Sequence, residues 1–267
     1  MKPATTITKV CRVLDAFRQR PSLGVTEVAQ ETGLLPSDVH RLLSSLELYG
    51  YVEQDSHSKK YHLGLHVLKL GYTVLQRLEL REIGRPLFRH LSEEIEATVN
   101  MAILDTRERE IIFVEQVDSP SEWQIKPRIG ARAAPHCTAL GKVLTAFADP
   151  ALARRVVKKF GLEKGTEHTI TTMEELEREL ALVREQGYAL DREEAVEGAC
   201  CVAVPVRDHT GAVVAAISAS MMATRFYRWN QAHLATVMKS AAGKFSASLG
   251  YDARTPVRLR AGAPRTS

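Results

Sequence analysis

Apolar residues recur at three- and four-residue steps over residues 6–20, where Ile7, Val10, Leu14 and Phe17 form one stripe. This spacing predicts an amphipathic helix, which Pro21 and Gly24 end. Thr26 is placed to cap a short second helix, TEVAQETG, closed by Gly33 in the left-handed position that terminates helices. Pro36 suits the first turn of a third helix, Ser37 and Asp38 can satisfy its free N–H groups, and Val39, Leu42, Leu43 and Leu46 supply its buried face. His40, Arg41, Ser44 and Ser45 then point elsewhere. After Gly50, YVEQDSHSKKYHLG alternates short β-formers around a charged tip, as a hairpin does. Three helices and a hairpin in this order make a winged helix-turn-helix, in which the third helix offers a polar side to the DNA major groove and the hairpin reaches a phosphate backbone. The same unit also serves as a protein-interaction module.

Further on, Leu65, Leu68, Leu75 and Leu78 keep helical spacing, interrupted by Gly71. An apolar stripe on a helix leaving a small domain needs cover, either from its own chain or, most cheaply, from a second copy. Past residue 80, a helix to about residue 95 precedes the strand-like TVNMAILD, EIIFVEQVD and EWQIKPRIG. Helices follow at TALGKVLTAFA, ALARRVVKKF and MEELERELALVREQGY, the last capped by Thr172 and ended by Gly187. CCVAVPVRD and AVVAAISASM, joined by a DHTG turn, read as a central antiparallel pair, and a final helix over residues 231–249 can cover one sheet face. Strands mixed with helices give an α+β layered domain.

Composition narrows this picture. A chain of 267 residues with 45% hydrophobic residues buries a sizeable core and is not a disordered chain. No run reaches the roughly 18 apolar residues that a membrane helix needs, and the opening residues lack an apolar signal segment, so the expectation is a cytoplasmic protein without membrane contact. The formal charge of +4 permits a polyanionic partner without demanding one, and residues 1–75 carry nine Lys/Arg against seven Asp/Glu. Cys11, Cys137, Cys200 and Cys201 have no CxxC spacing and read as small buried hydrophobes, with neither a metal nor a cofactor implied.

Three segments carry candidate chemistry. In PHCTALGK, Thr138 caps a helix whose free N–H groups make an anion site suited to a carboxylate. In YALDREEAVEGACCVAVPV, Asp191 ends a strand and a Gly-containing loop returns to the core at Cys201. In AAISASM, Ser218 and Ser220 lie two apart and project from one sheet face, where their hydroxyls need partners, either neighbouring backbone or a polar ligand. His136 and Cys137 are sequence neighbours and diverge, which makes a poor base and nucleophile pair, and there is no GxSxG, HExxH or GxGxxG.

Taken together and in order, RVLDAF, GLLPSDVHRLLSSLELYGYVEQD, KYHLG, PHCTALGKVL and REQGYALDREEAVEGACCVAVPV resemble the IclR-type transcriptional regulators over residues 10–249. The resemblance implies a winged helix-turn-helix over residues 1–63, a dimerising linker helix over 64–79, a GAF/profilin-like effector-binding domain over 80–250, and a disordered basic tail over 251–267. It implies a bacterial regulator, repressor or activator, working as a homodimer or dimer of dimers on a near-palindromic operator in double-stranded DNA, under control of a small organic acid or aromatic catabolite. The residues it assigns to DNA are Ser37, Asp38, His40, Arg41 and Ser45 on the third helix, with Lys59, Lys60 and Tyr61 on the wing. Lysine or threonine is more usual at Asp38. To the effector it assigns Ile125, Ala139, Leu140, Asp191, Ala199, Cys201, Ser218 and Ser220, with Trp123, Met101 and Met221 as further walls. The alternative is a metabolite-processing enzyme with an appended DNA-binding domain.

Overall fold

The computed structural model describes residues 5–18, 20–77, 79–120 and 129–252. Most of the expected strand EWQIKPRIG, with Trp123 and Ile125, and the tail beyond residue 252 lie outside the described residues. The chain divides into two compact units, Met1–Leu78 and Glu79–Ser267.

In the first unit, helices α1 (Thr5–Ala16), α2 (Val25–Thr32) and α3 (Pro36–Leu48) precede a two-stranded antiparallel wing of β1 (Val52–Gln54) and β2 (Tyr61–Leu63), and α4 (Leu65–Arg77) follows. Their apolar stripes meet in one core that includes Val13, Phe17, Leu23, Val28, Val39, Leu43, Val52 and Tyr61. Two expectations shift. Helix α1 stops at Ala16 rather than near residue 20, and a turn in which the Phe17 N–H bonds the Leu14 carbonyl swings the Phe17 ring into the core. Thr26 sits inside α2; the cap is Gly24, whose backbone N–H donates to the Glu27 carboxylate at 2.7 Å in half of a capping box. The wing is tied to the helices as well as to itself, because Leu23 and Tyr61 exchange two backbone bonds of 3.0 and 2.8 Å.

The second unit runs α5 (Glu79–Ile95), β3 (Thr98–Asp105), β4 (Glu110–Val117), β5 (Arg132–Ala133), α6 (Ala139–Phe147), α7 (Pro150–Phe160), α8 (Met173–Gln186), β6 (Ala189–Arg192), β7 (Ala199–Arg207), β8 (Val213–Met222), α9 (Ala223–Phe226) and α10 (Gln231–Ser248). The strands form one antiparallel sheet in the order β5-β4-β3-β8-β7-β6, with the expected β7–β8 hairpin near its middle. Helices α5 and α10 pack on one face and α6, backed by α7 and α8, on the other. Side chains alternate between faces, so Ala102, Ala203 and Ala216 pack with α6. By the same parity Asn100, Asp191, Cys201, Ser218 and Ser220 share the α6 face. Helix α6 also packs tightly on its own lead-in: a Cβ built on Gly141 would come within 1.9 Å of the Ala134 carbonyl oxygen. Strands as short as β5 and helices as short as α9 leave no periodic signal, which is why the sequence pattern does not announce them.

Candidate functional site

Helix α3 starts with Pro36 in its first turn and turns Val39, Leu42, Leu43 and Leu46 into the core. That rotation leaves Ser37, His40, Arg41 and Ser45 exposed along one side. The Arg41 side chain is 78% exposed, and its only ion pair among the described residues is a 3.6 Å contact with Asp38. Ser45 Oγ donates to the Arg41 carbonyl at 2.9 Å. Asp38 behaves differently from its neighbours. Lys9 of α1 donates to its carboxylate at 2.7 Å and holds the carboxyl below its ordinary range, so this acid ties the start of α3 to α1 and is not free toward a groove.

On the wing, Asp55 Oδ1 accepts the Ser58 backbone N–H and the Ser58 hydroxyl, both at 2.7 Å, which folds the tip and leaves Lys59 exposed at a φ of 58°. Lys60 is half-buried, with its ammonium 3.1 Å from the Glu27 carboxylate. Tyr61 does not belong to a DNA face. It is 2% exposed and packs in the core, because alternation along the three-residue β2 turns it inward.

The second site is a partly open chamber of about 140 Å³ between the sheet and the start of α6. Thr138 caps α6, its Oγ1 accepting from the Gly141 N–H at 3.0 Å and donating to the Ala134 carbonyl at 2.6 Å. The N–H groups of Ala139 and Leu140 are first-turn donors without an intrahelical acceptor, and both residues line the chamber. Ser218 and Ser220 of β8, Asp191 of β6, and Ala199 and Cys201 of β7 line the same chamber. Seven of the eight residues assigned to the effector therefore share one cavity; Ile125 lies outside the described residues. Met101 and Met221 do not line it, since strand parity sends both to the other face.

The polar groups of the chamber are unevenly committed. Ser220 Oγ accepts from the Cys201 thiol at 3.1 Å and from Asn100 Nδ2 at 3.2 Å. Ser218, directly opposite Asn100 in the β3–β8 register, donates no hydrogen bond among the described residues. Asn100 Oδ1 is buried with no partner among the described residues. An unpaired buried amide oxygen costs free energy that a guest carrying a donor would recover. Asp191 is buried, and this pushes its carboxyl up to about 7, with the Glu194 carboxylate adding to the rise; two backbone N–H groups, Glu194 at 2.8 Å and Ala195 at 3.4 Å, bond Oδ1 and oppose it.

One α6 turn away, Lys142 is 1% exposed, and its ammonium reaches both Glu194 oxygens at 2.7 and 2.9 Å and Glu179 of α8 at 3.1 Å. This buried cluster clamps the 192–198 loop, which contributes Ala195 and Val196 to the chamber wall. Burial lowers the pKa of His136, whose Nε2 lies 3.1 Å from the Glu163 carbonyl, and pushes the Cys137 thiol up to about 12, so the thiol stays protonated and is no nucleophile near neutral pH. Sequence reasoning missed Asn100, Phe113, Ala195, Val196 and the role of Lys142. The visible signals were an Asn inside the apolar run TVNMAILD and a Lys inside ALGKVLTAF.

The bacterial transcriptional regulator IclR C-terminal model matches residues 72–247, and the IclR helix-turn-helix model matches residues 6–56. The HTH-type transcriptional regulator KdgR of Dickeya chrysanthemi is 35% identical over 247 residues, covering 92% of this chain and 80% of that one. The crystal structure of the Thermotoga maritima IclR aligns with a TM-score of 0.68 at 29% identity, over 92% of this chain and 99% of that one. An IclR homologue from Microbacterium hydrocarbonoxydans, crystallised in complex with 4-hydroxybenzoate, shares the fold with a TM-score of 0.77 at 24% identity, over 92% and 99% of the two chains. Nothing in these likenesses favours an enzyme. A winged helix with an open polar side and an α+β unit built around a small chamber thus meet two matched models that span most of the sequence, and the chain belongs to the IclR family of DNA-binding transcriptional regulators, with an effector-binding C-terminal domain.

Proposed function

We propose that this regulator senses a small carboxylate in the chamber of its second unit and translates occupancy into a change of DNA affinity. The observation that carries this reading is the cavity itself, which brings the first-turn residues Ala139 and Leu140 of α6 together with Asn100, Ser218 and Ser220, the Asn100 Oδ1 having no partner among the described residues. The carboxylate would bind the two N–H groups, Ser218 and Ser220 would donate to its other oxygens, and Cys201 and Ala199 would form the apolar wall. A volume near 140 Å³ matches the roughly 150 Å³ cavity that accommodates benzene, so guests run from short aliphatic acids to a single ring. The 4-hydroxybenzoate of the Microbacterium homologue is of that size and kind.

On DNA, Ser37, His40, Arg41 and Ser45 would enter the major groove and Lys59 would approach a phosphate. Asp38 and Lys60, held by Lys9 and Glu27, would position α3 and the wing. Exposure of Leu65 and Leu68 on α4 supports a linker over residues 64–79 that pairs with a second copy, giving a homodimer or dimer of dimers on a near-palindromic site in the cytoplasm. Residues 1–63 and 80–250 would then be the DNA-binding and effector-binding domains. A thermal-shift screen of small acids tests the sensor, since a guest at 100 times its dissociation constant stabilises by about 2.7 kcal/mol. Arg41→Ala tests the reader: the expected result is weaker DNA binding with the acid response intact, and an unchanged DNA affinity would contradict the assignment.

A further inference from the structure

The charges around the chamber are arranged against the anion it is built to receive. Asp191 is 3% exposed and lines the same cavity as Ala139 and Leu140. Around it, the 192–198 loop brings the Glu194 carboxylate, α8 brings Glu179, α6 and its lead-in bring Lys142 and Cys137, and β7 brings Cys200 and Cys201. Lys142, bonded to Glu194 and Glu179, lowers the Asp191 carboxyl but does not offset the rise from burial, and no Lys or Arg lines the cavity among the described residues. The thiols stay uncharged, with Cys137 pushed up to about 12 and Cys200 to about 11 by burial. An anionic guest and an ionised Asp191 would therefore share a space of about 140 Å³ with no uncommitted cation among the described residues. Asn100 Oδ1, buried without a partner among the described residues, is a further acceptor that only a donor group on the guest, such as a hydroxyl, would satisfy.

We propose that Asp191 is the specificity-determining acid of this chamber: it takes up one proton from solvent as a carboxylate guest enters, and then donates that proton in a hydrogen bond to the guest. The inference rests on the carboxylate-sensor reading above. Protonation removes the repulsion and converts an acceptor into a donor. Because burial already holds the Asp191 carboxyl near 7, the proton is within reach at neutral pH. The preferred guest is then a monocarboxylate carrying an acceptor oxygen, and the regulator reads acid and pH together.

The sign follows from linkage. Below about pH 7 both free and bound forms are protonated and affinity is flat; above it binding must recruit a proton, so the dissociation constant rises toward tenfold per pH unit. The test is calorimetric titration of the full-length protein with 4-hydroxybenzoate, benzoate and pyruvate from pH 6 to 8.5, in phosphate and in Tris. For any acid that binds, the expected result is a dissociation constant that rises severalfold from pH 7 to 8, together with buffer-dependent heats equivalent to nearly one proton taken up at pH 8. Asp191→Asn keeps an oxygen for the Glu194 and Ala195 N–H groups and carries a permanent donor; its affinity is expected to vary less than twofold over the same range. The two-buffer measurement on the unaltered protein decides the matter even if that variant folds poorly. Binding without proton uptake, or a pH slope that survives in the variant, overturns the inference alone. Failure of all three acids to bind overturns the carboxylate reading and this inference with it.

Discussion

Helices α3 and α6 each begin beside polar residues, yet they spend them in opposite ways. Along α3, Ser37, His40, Arg41 and Ser45 stay exposed and only one face is buried. Along α6, every residue from Ala139 to Ala146 is buried, Lys142 and Thr145 included. Polar groups left in water can wait for a large charged partner at little cost, whereas polar groups taken out of water cost free energy unless paired; Lys142 is paired with Glu194 and Glu179, and Thr145 Oγ1 has no partner among the described residues. The first helix is built to meet something outside the molecule and the second to enclose something within it.

Substitutions that break this contrast should differ in size. Lys142→Met removes the cation from a buried cluster and leaves Glu194 and Glu179 unbalanced; the second unit is expected to lose about 3–5 kcal/mol in denaturant unfolding. Gly141→Ala drives a methyl against the Ala134 carbonyl, and a loss of about 3 kcal/mol with weakened acid binding is expected from the same measurement. On the open helix, Arg41→Ala should leave thermal stability within about 0.5 kcal/mol and weaken DNA by about 1–3 kcal/mol if it reads a base, measured by fluorescence anisotropy. The smallest effect concerns Glu27, whose carboxyl is lowered to about 2, chiefly by the Gly24 N–H and then by Lys60. A depressed acid stabilises above its ordinary value near 4.5 and loses that contribution as pH falls toward 2, so the first unit should soften across that window and Glu27→Gln should flatten the response in thermal melts.

Much of this architecture was legible because local signals were strong. Thr138 and Thr172 cap α6 and α8 where the sequence puts them, Gly187 closes α8, and TVNMAILD is β3 from end to end. The chamber was legible only in part. Asp191, Cys201, Ser218 and Ser220 stood out as polar or small residues at segment ends, but Asn100 and Phe113 become neighbours of theirs only through the strand order β4-β3-β8-β7, which local periodicity does not encode. Tyr61 was assigned to DNA on resemblance, and a three-residue strand offers too little alternation to reveal that it faces inward. Asp38 looked out of place toward DNA because its partner, Lys9, lies on another helix.

The central claim is that a guest in the chamber and DNA on α3 influence one another. Duplexes selected by the protein from a randomised pool should be titrated by anisotropy with and without a saturating acid taken from the thermal-shift screen. The expected result is a shift of about 5–150-fold in DNA affinity, matched by an equal shift in acid affinity when DNA is bound. An acid that demonstrably fills the chamber while DNA affinity stays the same would contradict the account.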